Sequence, residues 1–296
     1  MAGKVFVVTG TTSGIGKALA SELAKTGEIV VLVARDADRG KATVQEILSA
    51  TQTSSLDLQL CDLSVLSSVR NLAEILKSKY EKIDVLVNNA SVYKRNRVVT
   101  VDGFEEMFAA NHLGPFLLTN LLLEPLQAAA RTTGSARILN ITAPSTVDLN
   151  FDDLHGERRF DSLTTFGATK MANLLFTFEL ARRLQNTGIT VNAIHPGLAR
   201  SGIMREAPFL MRLLTRLASS PPEKVSGAIV QVAVAPEFQK TTGKFLRSGK
   251  EIEAAQYAHD RSAQQRLWEI SEQLTGLAAT KGVTPVNDPH LDTPRS

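Results

Sequence analysis

The first residues with a legible chemistry lie between Val5 and Gly16, where the apolar run Val5-Phe6-Val7-Val8 gives way to Thr9-Gly10-Thr11-Thr12-Ser13-Gly14-Ile15-Gly16. Glycines suit a chain that must turn sharply and bring bare backbone close to another surface. Behind the turn, Ile15, Leu19 and Leu23 recur at helical spacing. A helix is therefore expected from about Gly14, with its unpaired N–H groups and positive dipole end facing the turn. Such an end suits a pyrophosphate. Three glycines alone fit an ordinary connection equally well, and what favours the phosphate is the strand and helix alternation that follows. A second position of interest closes the run Glu28 to Ala34, which ends in Arg35-Asp36. At the end of a second strand, an acid would meet a free ribose 2′-hydroxyl and an arginine a 2′-phosphate. Ala34 stands where the acid is expected and Arg35 follows, which favours NADP over NAD. An Arg-Asp pair also suits a solvated loop.

The elements that must position these residues alternate regularly. The continuous apolar run 28 to 34 marks a strand buried on both faces of a parallel sheet. A helix from about Asp38 to Ala50 leads to a strand over Leu56 to Leu60 that ends in Asp62-Leu63. Val65, Val69, Leu72, Ala73 and Leu76 fall on one helical face. Ile83 to Val87 is a strand ending in Asn88-Asn89-Ala90-Ser91. Residues 101 to 130 read mostly as helix, contain Asn111-His112-Leu113-Gly114 and are interrupted by Pro115 and Pro125. A fifth strand, Arg137 to Ile141, ends in Thr142-Ala143-Pro144-Ser145, and a sixth, Thr190 to Ile194, in His195-Pro196-Gly197. The helix between them, from about Phe166 to Gln185, is apolar on more than one side (Met171, Leu174, Leu175, Phe178), which implies deep burial or a subunit contact. The pattern is a doubly wound α/β fold, a Rossmann-type parallel sheet with helices on both faces, in which ligands meet the carboxyl ends of the strands. One domain is expected over 1–277 and a mobile tail over 278–296, where Thr, Pro, Asp and Asn dominate.

Composition narrows the class. Apolar residues at 43% and charged residues at 21% describe a globular chain rather than a disordered one. The formal charge of +3 is scattered along the chain, so the pI near 9.0 reads as a solvated surface and not as a nucleic-acid footprint. Cys61 is the only cysteine, which excludes an internal disulfide and fits a reducing cytoplasm. No signal peptide and no stretch of membrane-spanning length is read.

With these pieces placed, the chain resembles the short-chain dehydrogenase/reductase family over roughly its first 250 residues. Its retinol-dehydrogenase-like branch is nearest, through Asn-His-Leu-Gly at 111 to 114, Phe-Asp-Asp-Leu at 151 to 154 and His-Pro-Gly at 195 to 197. The resemblance implies that Gly10, Ser13, Gly14, Ile15 and Gly16 hold the pyrophosphate of a cofactor that the Arg35 position reads as NADP(H). It further implies Asp62 and Leu63 about the adenine, Asn89 and Ala90 along its ribose, and Pro196, Gly197 and Ser201 against the nicotinamide. Ser91 replaces the glycine usual after Asn-Asn-Ala and narrows the space beside the nicotinamide ribose.

The family's chemistry uses a serine that holds the substrate oxygen, a tyrosine that exchanges its proton, a lysine that lowers the tyrosine pKa and holds the ribose, and an asparagine that supports a water relay. The tyrosine and lysine positions read Phe166 and Lys170, four residues apart on one helix face. The serine position reads Thr142-Ala143 where the family has two serines, the second normally catalytic. Asn111 and Lys170 remain. Losing the general acid removes a contribution of about two to four powers of ten, while hydride transfer still needs only a nicotinamide in line with a polarised carbon. Substitute donors are few: Thr142, Ser145 and Thr146 in a shortened loop, and Tyr93, whose expected place is a solvated loop. His112 and His195 are expected to be structural.

In this family the segment near 198–222 is a substrate lid. Here it carries Ile203, Met204, Phe209, Leu210 and Met211 with Arg205, Arg212 and Arg216 interleaved, a composition suited to a small but bulky apolar or aromatic, polyketide-like ligand. A basic amphipathic helix on a membrane surface is the alternative for this segment, and one such helix is not a stable anchor. Three functions follow: an atypical NADP(H)-dependent ketoreductase whose substrate supplies the proton, a non-redox enzyme or cofactor-holding regulatory protein, or an active reductase altered at Phe166 and Ala143 by an experimenter. Members of the family often pair through the helix that is 166–185 here while some in this branch are monomeric, so the resemblance leaves both a homodimer and a monomer open, and no metal is expected.

Overall fold

The computed structural model describes residues 3–51, 55–197 and 220–277. The lid positions 198–219, Ser201 among them, and the expected tail 278–296 lie outside the described residues.

Each expected strand forms where its apolar run stands: β1 (Val5–Thr9), β2 (Ile29–Ala34), β3 (Leu56–Leu60), β4 (Val85–Asn88), β5 (Ala136–Ile141) and β6 (Ile189–Ile194). Two further strands, β7 (Lys244–Arg247) and β8 (Lys250–Glu251), extend the sheet beyond the sequence reading. Both are too short and too charged to carry a periodic signal. Among the described residues the strands form one sheet in the order β3-β2-β1-β4-β5-β6-β7-β8, parallel except for the β7–β8 pair.

Alternation along β1 shows how the sheet is covered. Val5 and Val7 point into a core shared with Val69, Leu72 and Leu76 of α3 (Leu66–Lys79), Phe116 and Leu117 of α5 (Gly114–Leu121), and Phe176 and Leu180 of α7 (Ser162–Arg183). Phe6 and Val8 point the other way, onto Ile15, Leu19 and Leu23 of α1 (Gly14–Ala24), Ile47 of α2 (Ala37–Thr51), and Ile229 and Val232 of α8 (Pro222–Val234). Both faces are therefore dry, which is why the strands read as unbroken apolar runs.

Between β4 and β5 the chain departs from the expected helix 101–130. Helix begins at α4 (Glu106–Phe108), passes through a π-helical turn (Ala109–Leu113) into α5, breaks at Leu122, and resumes as α6 (Leu123–Thr133). Pro115 sits in the first turn of α5, where a missing N–H costs little, so it does not interrupt the helix. The π turn places Asn111 and His112. Deep burial accounts for the apolar faces of α7: Met171, Leu174 and Leu175 are fully buried within the chain, against Ala263 and Leu267 of the C-terminal helix α9 (Arg261–Thr275).

His112 is structural, as expected. It lies among Phe108, Phe116 and Phe176. The Ser271 hydroxyl donates to the Leu267 carbonyl at 2.7 Å, so it accepts from His112 Nε2–H at 2.8 Å, which leaves Nδ1 buried without a partner. Burial pushes the imidazole pKa down to about 3. Between about pH 6.5, where an unfolded histidine titrates, and that value, the unfolded chain binds a proton that the folded chain refuses. Stability should then fall as pH falls, by about 1.4 kcal/mol per pH unit from this residue. Urea unfolding at pH 7, 6 and 5 should show that loss in the native protein and a shallower one in His112→Phe; equal slopes would contradict it.

Candidate active site

Strand order reverses between β1 and β4, so their carboxyl ends open a crevice there. The glycine turn from β1 and the Asn-Asn-Ala-Ser loop from β4 meet in it. Gly10 has φ +73°, and a side chain on it would come within 2.8 Å of the Ala90 Cα. A side chain on Gly16 would overlap the Gly10 carbonyl and the Asn89 amide. The loops are tied through Thr9, whose hydroxyl accepts the Asn89 N–H at 2.9 Å and the Ala90 N–H at 3.0 Å. The Asn89 amide returns a bond to the Thr9 carbonyl at 2.8 Å. At the start of α1, Ser13 makes no side-chain cap and no acid stands in the first turn, so the leading N–H groups face the crevice without a protein anion.

On the β5 and β6 side, α7 begins a turn before the expected Phe166, capped by Asp161, whose carboxylate accepts the Thr164 N–H at 2.8 Å. Ser162, Phe166 and Lys170 thus follow one another at four-residue spacing on one face. Lys170 is only 6% exposed. Its ammonium lies 4.8 Å from the centre of the Phe166 ring and donates to the Ser91 hydroxyl at 2.7 Å. Burial alone draws its pKa down to about 8. Asn111 holds the opposing loop: its carbonyl accepts the Val92 N–H at 2.7 Å, and its amide donates to the Val92 carbonyl at 2.9 Å and to Thr169 Oγ1 at 3.2 Å. One side chain therefore fixes the segment after Ser91 to the turn of α7 that carries Lys170.

The substitute donors are mostly committed elsewhere. Thr142 gives its proton to the Lys170 carbonyl at 3.0 Å. Ser145 donates to the Gly167 carbonyl at 2.9 Å and accepts from Val147, so the shortened loop ties its hydroxyl to the helix backbone. Thr146 is exposed. Tyr93 is not the solvated loop residue expected from the sequence: it is 3% exposed, lies edge-on to Phe166 with ring centres 5.6 Å apart, and donates to Ser162 at 2.9 Å. The loop folds back over α7, which no local pattern signals. Ala143, at the end of β5, is partly buried and offers no side-chain hydrogen bond.

After β2, Arg35 is 58% exposed in its side chain and lies 3.7 Å from Glu106, which also lies 3.4 Å from Lys94. Asp62 turns its carboxylate onto the Ser64 N–H and hydroxyl at 2.9 and 2.7 Å. Leu63 sends its side chain into the core, and its backbone packs closely against Gly114. Pro196 and Gly197 (φ +78°) follow β6, with the Gly197 N–H 3.3 Å from His195 Nδ1. The role of Ser91 is the one that sequence reasoning missed. Its signal was the departure from glycine, read there only as lost space.

The sequence model of the short chain dehydrogenase family matches residues 4–208. Retinol dehydrogenase 12 of Mus musculus is 39% identical over 93% of this chain and 87% of that protein. The chain belongs to the short-chain dehydrogenase family. Among solved structures, the RhlG/NADP active-site complex of Pseudomonas aeruginosa has a TM-score of 0.68 and 25% identity, covering 87% of this chain and 97% of that one. The 3-ketoacyl-(acyl-carrier-protein) reductase of Brucella melitensis complexed with NADH has a TM-score of 0.67 and 26% identity, over 83% and 96%.

A nicotinamide dinucleotide fits this short-chain dehydrogenase. Gly10 and Gly16 let the glycine turn close onto Asn89 and Ala90, the α1 terminus is uncapped, and Lys170 is held by Ser91. Among the described residues no cluster of His, Cys, Asp or Glu could hold a metal, and no helix is long and apolar enough to cross a membrane. Gly16→Ala forces the Gly10 carbonyl and the Asn89 amide aside at an overpacking cost in stability of about 1–3 kcal/mol, and the displaced turn should bind a dinucleotide more weakly. A fluorescence titration with NADPH should show that loss; unchanged affinity would mean that the glycine turn does not meet the dinucleotide.

Proposed function

We propose that this protein is an NADP(H)-dependent oxidoreductase that reduces a ketone on a bulky apolar or aromatic substrate. The observation that carries the reading is the retained cradle opposite a buried Lys170, a cost in desolvation that a surface helix would not require. When bound, the reduced dinucleotide supplies the hydride. Lys170 presents the ammonium that holds its ribose, and Asn111 keeps the two walls of the crevice at a fixed separation. Arg35, open to solvent at the end of β2, supports the choice of NADP over NAD as a partner for a 2′-phosphate.

The name of the related retinol dehydrogenase supports an apolar substrate, as does the greasy composition of 198–222. Phe166 and Ala143 offer no proton and no oxyanion hydrogen bond. A ketone flanked by a phenol or enol supplies its own internal proton, which makes such substrates the first to test.

NADPH should bind more tightly than NADH in a fluorescence titration, and Arg35→Ala should narrow the difference; equal affinities would overturn the NADP assignment. In the double variant Phe166→Tyr/Ala143→Ser, which returns a phenol and an oxyanion donor to the site, carbonyl reduction should rise by about tenfold or more, a phenol being the better-matched acid. Product formed with no loss of NADPH would move the protein to the non-redox class.

A further inference from the structure

We propose that Ser91 is the proton donor of this enzyme, fed by Lys170, in place of the tyrosine that Phe166 replaces. The inference rests on the reductase reading above and adds a residue to it. Three of the other candidate hydroxyls have spent their protons, Thr142 on the Lys170 carbonyl, Ser145 on the Gly167 carbonyl and Tyr93 on Ser162, and the fourth, Thr146, is exposed to solvent. Ser91 instead accepts from Lys170 at 2.7 Å, and no hydrogen bond among the described residues uses its own proton. It is partly exposed in the crevice, at the end of β4, next to the Ala90 that borders the glycine turn. Lys170 is joined to it across the site from α7, beside the ring of Phe166.

The proton balance closes. The carbonyl carbon receives a hydride from the reduced nicotinamide while the C=O π pair moves to oxygen. That oxygen takes the Ser91 proton, Ser91 Oγ takes one from the Lys170 ammonium, and the neutral amine is recharged from water. No charged side chain pulls Lys170 in either direction; burial alone lowers its pKa to about 8, so it is charged at neutral pH yet a far better acid than an exposed lysine. The donor is matched to its task without a phenol.

The test uses the full chain, NADPH and all-trans-retinal, a carbonyl with no neighbouring hydroxyl to supply its own proton. Single-turnover NADPH oxidation is compared in the native protein, Ser91→Ala, and Ser91→Ala/Phe166→Tyr, beside NADPH affinity by fluorescence. Lys170 is titrated by NMR of the lysine side chains with NADP+ bound. Ser91→Ala should slow the single turnover about a hundredfold or more, the range of a lost general acid, leave NADPH affinity within about threefold, and lower the Lys170 titration midpoint, since a hydrogen bond to the charged form is lost. Phe166→Tyr should restore the rate by returning the phenol. A Ser91→Ala protein that reduces retinal like the native one overturns the proposal and leaves the reductase reading standing, as does a slow variant that the tyrosine fails to rescue. A native protein that binds no NADPH, or binds it and never oxidises it with retinal, overturns both.

Discussion

The structure depends on a close approach of backbone to backbone at the carboxyl ends of β1 and β4. Gly10 and Gly16 leave no room for a side chain against Asn89 and Ala90, and the Thr9 hydroxyl gathers two N–H groups from the opposite loop. That contact fixes the crevice at the point where strand order reverses, and it keeps the start of α1 aimed into it. The remainder of the sheet is built outward from this seam, with one dry core on each face.

The second wall is held by a different device. A π-helical turn interrupts α4 and α5 at Ala109–Leu113, and the extra residue in the turn sets Asn111 where it reaches both Val92 and Thr169. π turns are uncommon and often occur at functional sites. Here the turn couples the loop after β4 to the helix that carries Phe166 and Lys170. Behind it, His112 and Ser271 join the same turn to α9, so the C-terminal helix supports the site without touching it.

The positions that the sequence reading set apart meet around Lys170. Phe166 removes a hydroxyl from the helix face, and its ring is enclosed by Tyr93 on one side and the Lys170 ammonium on the other. Ser91 adds a hydroxyl on the facing loop, within hydrogen-bond reach of that ammonium. Ala143 clears the end of β5, while Thr142 and Ser145 serve the backbone of α7.

Six strands, the glycine turn, the helix at Phe166 and the start of α1 behind that turn were legible in the sequence, because each is encoded by neighbours in the chain: apolar runs, a four-residue spacing, glycines beside a strand end. The short charged strands β7 and β8 were not, since their pairing comes from the sheet they join and not from their own pattern. Burial of Tyr93, the turning of Asp62 onto Ser64 and the bond between Ser91 and Lys170 belong to the same second group. The residues of that last pair stand 79 positions apart. The sequence determined which chemical groups the crevice could contain; the tertiary structure alone decided which of them meet, because strand order and loop packing bring distant segments together and local periodicity carries no record of either.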